Sequence, residues 1–155
     1  MKTFALIGTL LLASTGCGDN QEPEAAVAFW DQLQVDDYRN TFARAPGWPG
    51  LEPSQAIHAD FVEIYVNDVV VDALDAGESM TAWPEGSLIV KDGYDGDQEL
   101  NVVAAMEKRN GAWFWAEWFD LESGEAKYSG SPRLCTDCHS DGDDFVTSFT
   151  FPTAD

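Results

Sequence analysis

The chain has 155 residues, a length that suits one domain, and its 28 acidic against 8 basic residues give a net charge of −20. A chain this acidic offers no surface for nucleic acid. Its charge favours solubility and attracts basic partners.

Residues 1–16 read as an export signal of the lipoprotein type. Lys2 supplies the positive start, and Phe4 to Leu12 is an apolar run too short to cross a bilayer as a helix. The small residues Ala13, Ser14, Thr15 and Gly16 precede Cys17, the expected lipidation site and first mature residue. Ser14 stands where such signals usually carry leucine, so an ordinary secretory signal is the competing reading. The expected location is the periplasmic side of a bacterial membrane, held there by two or more acyl chains. Residues 17–24 are polar, contain Pro23, and read as a tether to a single domain over 25–155.

Within that domain, Ala25 to Ala43 is expected to be helical, with Val27, Phe29, Trp30, Leu33 and Phe42 as its apolar residues. Gly47-Trp48-Pro49-Gly50 forces a turn. Phe61 to Asn67 alternates as a strand, with Phe61, Glu63 and Tyr65 on one face and Val62, Ile64 and Val66 on the other. A short helix over Asp68 to Asp75 would be N-capped by Asn67. The turn Trp83-Pro84-Glu85-Gly86 leads into a strand over Ser87 to Lys91, followed by a loop over Asp92 to Asp97. The clearest local signal is a hairpin, Leu100 to Arg109 and Ala112 to Phe119, turned by Asn110-Gly111. Aromatic residues occupy both faces of its second strand, so both faces should be covered: by core, by a flat cofactor or by a second subunit. Asp120 to Ser131 reads as irregular connection. The class is α+β, mainly antiparallel sheet with a few short helices.

Cys135-Thr136-Asp137-Cys138-His139 is the strongest chemical signal. C-x-x-C-H is the spacing that attaches c-type haem: two thiols add to the haem vinyl groups and the next histidine becomes the proximal iron ligand. A zinc site would need more ligands at ligand-like spacing, and a thioredoxin-like motif would need an α/β setting. With Cys17 lipidated and Cys135 and Cys138 on one covalent haem c, none of the three cysteines remains for a disulfide. Arg133 is the cation nearest the motif and a candidate partner for a haem propionate. His58 and Met80 are weak candidates for a second axial ligand, and Met106 reads as core. Asp141, Asp143 and Asp144 are solvated-loop residues or a proton acceptor near the iron. Asp92, Asp95 and Asp97 fail the EF-hand spacing of a calcium loop.

Four pieces together resemble the cytochrome P-460 / cytochrome c′-beta family. They are Phe61-Val-Glu-Ile-Tyr-Val-Asn67, Trp83-Pro-Glu-Gly-Ser-Leu-Ile-Val-Lys-Asp92, Trp113-Phe-Trp-Ala-Glu117, and Cys135 through Phe151-Pro152. The resemblance implies an antiparallel sheet with short helices, a frequently dimeric assembly and an open iron position. It also implies that Lys91, after Glu85-Gly86-Ser87, matches the lysine that P-460 cytochromes bond to the haem macrocycle; the c′-beta branch lacks that bond. Function is then expected to be binding of hydroxylamine or nitric oxide, with oxidation of either left open. Electrons would pass to a periplasmic partner. The alternative is an electron-transfer cytochrome with both axial positions filled.

Overall fold

The computed structural model describes residues 20–54 and 56–153, so the expected signal and Cys17 lie outside the described residues. The Asn110-Gly111 hairpin forms, with Asn110 at φ 53° and Gly111 at φ 79°. Both residues take the left-handed backbone that a two-residue turn requires.

In chain order the described residues form helix α1 (Pro23–Asp36), the one-turn helix α2 (Tyr38–Thr41), and short strands β1 (Ala43–Arg44) and β2 (Glu52–Pro53). Strand β3 (Phe61–Val66), helix α3 (Asp68–Ala76) and strand β4 (Leu88–Tyr94) follow. Then come β5 (Leu100–Arg109), β6 (Ala112–Trp118), β7 (Tyr128–Gly130) and helix α4 (Arg133–His139). The strands make one antiparallel sheet in the order β1-β3-β4-β5-β6-β7, with β2 also on β3. The fold is a single α+β domain, as expected.

Register sorts the sheet into two faces. Tyr65, Leu88, Val90, Val103, Ala105, Phe114, Ala116 and Trp118 point to one side, where α1 lays Ala26, Phe29 and Leu33 against them. Phe29 meets Phe114 and Trp118 at ring-centroid distances of 5.7 and 5.8 Å. Each such buried ring or branched chain contributes roughly 1.5–3 kcal/mol. The other face carries Val62, Ile64, Val66, Ile89, Met106, Trp113 and Trp115, covered by Val70 of α3 and by Val146 and Phe149 of the C-terminal segment. The alternation read for residues 61–66 is the one observed.

Three local differences have plain causes. The first helix ends at Asp36 because Asp37 turns left-handed at φ 50° and redirects the chain into α2. Asp92 is not loop but a fully buried residue of β4. Its carboxylate accepts Tyr38 Oη at 2.6 Å and Arg39 Nε at 2.5 Å, which meets the cost of burying its charge. Gly93 continues that strand opposite Val102, and the position needs glycine because a Cβ there would lie 2.4 Å from Val102 Cγ1. The third difference is β7, which forms inside the stretch read as irregular. Helix α3 is capped as expected, by Asn67 Oδ1 accepting from Val70 N at 3.4 Å, and the same oxygen accepts Leu88 N at 3.1 Å. Asn67 thereby ties the start of α3 to the start of β4.

Asn20 to Glu22, inside the segment read as a tether, are held against the β7 edge. Ser131 N donates to Asn20 O at 3.0 Å, and Glu22 N donates to Ser129 Oγ at 3.0 Å. Gly130 makes this approach possible: a Cβ there would fall 2.1 Å from Asn20 O.

Candidate functional site

A cavity of about 390 Å³ opens on the second face of the sheet. Its floor comes from alternate residues of neighbouring strands: Ile89 and Lys91 of β4, Ala104 and Met106 of β5, Trp115 and Glu117 of β6. Lys91 sits opposite Ala104, and Ala104 opposite Glu117. The two charged residues therefore flank a methyl group across two strand spacings, roughly 10 Å. One wall is α4, which contributes Leu134, Cys135, Cys138 and His139, and another is Ala56-Ile57-His58. Phe119, Lys127 and Tyr128 also line it.

The histidine of the C-x-x-C-H motif is fixed by its surroundings. His139 Nδ1 lies 2.9 Å from the carbonyl oxygen of Phe145. A carbonyl can only accept, so Nδ1 carries the proton and Nε2 keeps its lone pair for a ligand. The ring packs edge-on against Trp115 at a centroid distance of 4.7 Å. Burial pulls the imidazole below its ordinary range, with Lys91 and His58 adding to the effect and the carbonyl opposing it. The neutral, ligating form is thus favoured.

Lys91 is half-buried and, among the described residues, its side chain makes no hydrogen bond or ion pair. Burial lowers the affinity of its amine for a proton, against the weaker pull of Glu117. Glu117 is buried, and its Oε1 is 2.8 Å from His58 Nδ1. The His58 and His139 rings are 6.3 Å apart.

The chain matches the family described as Cytochrome P460 over residues 35–150. It belongs to that family. Among curated proteins there is no match to the chain. Membership makes it a haem protein, and the cavity fits that cofactor in three respects. Its lining is mainly apolar, its size lies in the range of cofactor pockets, and one neutral histidine nitrogen is left for iron. Cys135, Cys138 and His139 would hold the haem from α4, and Lys91 reaches the same cavity from the sheet.

Other residues singled out in the sequence fall elsewhere. Asp143 and Asp144 are neither solvated nor in the cavity. Asp144 pairs with Lys108, and Asp143 Oδ2 accepts Phe151 N at 2.9 Å. Both aspartates anchor the turn after α4. Met80 packs into the core beside the second sheet face and does not line the cavity, whereas Met106 does. The Arg133 side chain is 83 % exposed, 3.9 Å from Asp137 and outside the cavity lining. Lys127 at the mouth, held over the Phe119 and Tyr128 rings, is the better-placed cation for a propionate. Asp92 faces away on the α1 side, and Asp95 Oδ1 serves its own turn by accepting Asp97 N and Glu99 N. Sequence reasoning missed Glu117 as a site residue. The available signal was a lone carboxylate inside the aromatic strand, at a position that alternation places with Trp115.

Proposed function

We propose that this Cytochrome P460 family member is an exported c-type haem protein that binds hydroxylamine or nitric oxide at an open iron position and oxidises hydroxylamine. The observation that carries the reading is that Cys135, Cys138, His139, Lys91 and Glu117 all line one cavity. The haem, once attached through Cys135 and Cys138, supplies the redox centre at which a small nitrogen ligand is bound and oxidised.

The protein's own residues do the rest. His139 presents a neutral Nε2 because Phe145 fixes its other nitrogen. Lys91, whose amine is driven toward neutrality by burial, would add a third covalent bond to the haem beside the two thioethers, as in the P-460 branch. That bond would replace a macrocycle C–H and consume a two-electron oxidant such as a peroxide. Glu117, steadied by His58, can accept the protons that hydroxylamine loses on oxidation. Ile89, Ala104, Met106 and Trp115 keep the cavity apolar and limit it to small ligands. Lipidation at Cys17 would hold the domain at the outer side of a bacterial membrane, where a periplasmic protein would take the electrons. Labelled fatty acid should enter the wild type, and Cys17→Ser should release soluble protein.

The test is spectral. Holoprotein with a Lys91 link should absorb at longer wavelength than an ordinary c-type haem, and proteolysis should leave one haem peptide holding both Lys91 and Cys135. Lys91→Ala should restore the ordinary spectrum and abolish hydroxylamine oxidation while sparing nitric oxide binding. An ordinary wild-type spectrum with no such peptide would reject the oxidase and leave gas binding. The short separation of the His58 and His139 rings favours one other reading, an electron carrier ligated on both sides. A low-spin spectrum that neither carbon monoxide nor nitric oxide changes would select it.

A further inference from the structure

We infer that the buried Lys108–Asp144 ion pair is a positioning device for the proximal histidine, and that it tunes the reduction potential of the haem iron. The inference rests on His139 being the iron ligand, as proposed above, and adds residues that stay clear of the cavity.

The turn after α4 has an uncommon backbone. Asp144 and Phe145 are consecutive, neither is glycine, and both have positive φ, 49° and 69°. Side chains disfavour this region, and a bulky aromatic residue there is a real outlier. Such strain persists only where the surroundings over-determine it. Here they do. Lys108 Nζ donates to both carboxylate oxygens of Asp144, at 3.0 and 2.7 Å, and the two side chains are only 6 % and 12 % exposed. Trp83 N donates to Asp144 Oδ2 at 2.9 Å. Trp113 Nε1 donates to the Asp144 carbonyl at 2.7 Å, and Trp83 Nε1 to the Asp143 carbonyl at 3.0 Å.

The outcome of this bracing is the direction of one oxygen. With Asp144 held on its side chain and both carbonyls before Phe145 occupied, the Phe145 carbonyl turns to His139 Nδ1 at 2.9 Å. A hydrogen bond on that nitrogen orients a ligating imidazole and raises its basicity toward the metal. A more basic ligand stabilises ferric over ferrous iron and lowers the potential. Lys108 stands at the hairpin end of β5, paired with Trp113, on the same face as Met106 and Trp115 and two residues beyond Met106 along the strand. The sheet therefore reaches the proximal histidine through this turn, with the Lys108–Asp144 ion pair as the one charged brace among the hydrogen bonds that hold it. An ordinary stabilising pair would leave the iron unaffected.

The experiment compares holoprotein of wild type, Lys108→Met, Asp144→Asn and Lys108→Arg. Asparagine tolerates the left-handed backbone, so Asp144→Asn adds no new backbone strain while it removes the ion pair that pins the turn and frees the Phe145 carbonyl to shift. Reduction potential and the iron–histidine stretching band of the ferrous protein are read, with haem content by denaturing electrophoresis. Lys108→Met and Asp144→Asn should both raise the potential and lower the stretching frequency at full haem content, and Lys108→Arg should restore wild-type values. Lys108→Met leaves a buried carboxylate alone and Asp144→Asn a buried ammonium, and either can fold poorly. The double variant Lys108→Met/Asp144→Asn, which buries neither charge, decides the matter in that event and should show the same raised potential. Haem-replete Asp144→Asn with wild-type potential and vibration would overturn the inference. His139→Ala serves as the separate control: a ferrous spectrum it does not alter would mean that His139 is not the ligand, a different failure from that of the ion pair.

Discussion

Gly142, three residues beyond His139, offers a direct test of how tightly the turn after α4 is packed. Its backbone is not left-handed, so any cost of a side chain there is steric. A Cβ would lie 2.4 Å from Val146 O, 2.5 Å from Val146 C and 2.9 Å from Thr147 N. All three are backbone atoms, so no side-chain rotation relieves the clash. Restoring ordinary contact at 3.4 Å needs a shift of about 1 Å in the 146–147 peptide. Overpacking of this kind costs about 1–3 kcal/mol. For a chain of this size each kcal/mol lowers the melting temperature by roughly 2–4 °C, so Gly142→Ala should melt roughly 2–12 °C lower. The shift also bears on the neighbouring Phe145 carbonyl. A displacement of about 0.6 Å along its bond to His139 would already take it to the limit of a hydrogen bond. Gly111→Ala is the control, because that glycine is left-handed at φ 79° with nothing within 4 Å. It should lose about 1–2 kcal/mol from backbone strain alone and leave the haem bands unchanged. Thermal unfolding by circular dichroism, with the absorption spectrum of each holoprotein, reads both effects. A Gly142→Ala melting temperature within about 1 °C of wild type would refute the packing argument. A lower melting temperature with an unaltered spectrum would show that the strain stops short of His139.

Three further expectations concern other parts of the molecule. Arg39→Met leaves the Asp92 carboxylate buried without its cation and should cost about 3–5 kcal/mol in urea unfolding, with a smaller loss when Asp92→Asn is added. Burial alone would raise the carboxyl of Glu63, but hydrogen bonds from Tyr94, Arg44 and Tyr65 outweigh it and hold the group below its ordinary 4.5. Its contribution is therefore complete above that pH and lost as pH falls through the lower folded value, so the acid-side loss of urea resistance should be smaller in Glu63→Gln than in wild type. Glu117→Gln should slow hydroxylamine oxidation by roughly 10²–10⁴-fold while leaving nitric oxide affinity near wild type. Equal loss of both would assign Glu117 to the shape of the cavity instead of proton transfer.

The sheet was legible because its signals are local. Alternation gave the faces of residues 61–66, Asn110-Gly111 gave the hairpin, and Asn67 gave a helix start. Asp92 misled because a run of aspartates and glycines reads as solvated loop, while the cation that permits its burial lies 53 positions earlier at Arg39. The C-x-x-C-H motif stood out for the same reason as the hairpin, its fixed spacing. The rest of the site is assembled by strand register. Lys91 meets Glu117 only across Ala104, and Glu117 meets His58 across 59 positions. The turn that aims Phe145 was hidden for another reason: sequence reading looks for left-handed backbone at glycine, and here aspartate and phenylalanine take it.

The contact between Asn20 and the β7 edge carries a mechanical consequence. If Cys17 is acylated, three residues join the lipid to a point already fastened to the sheet, a reach of at most about 10 Å. The domain could then neither swing far from the bilayer nor turn freely above it. Ser131, the residue that grips Asn20, lies only two positions before the start of α4. Mooring at this corner would hold the rim built from Leu134, Phe119 and Lys127 close to the lipid headgroups. Electron acceptors that themselves travel along the membrane surface would then have the shortest approach, and the domain's own acidity would keep that rim from settling onto an anionic leaflet.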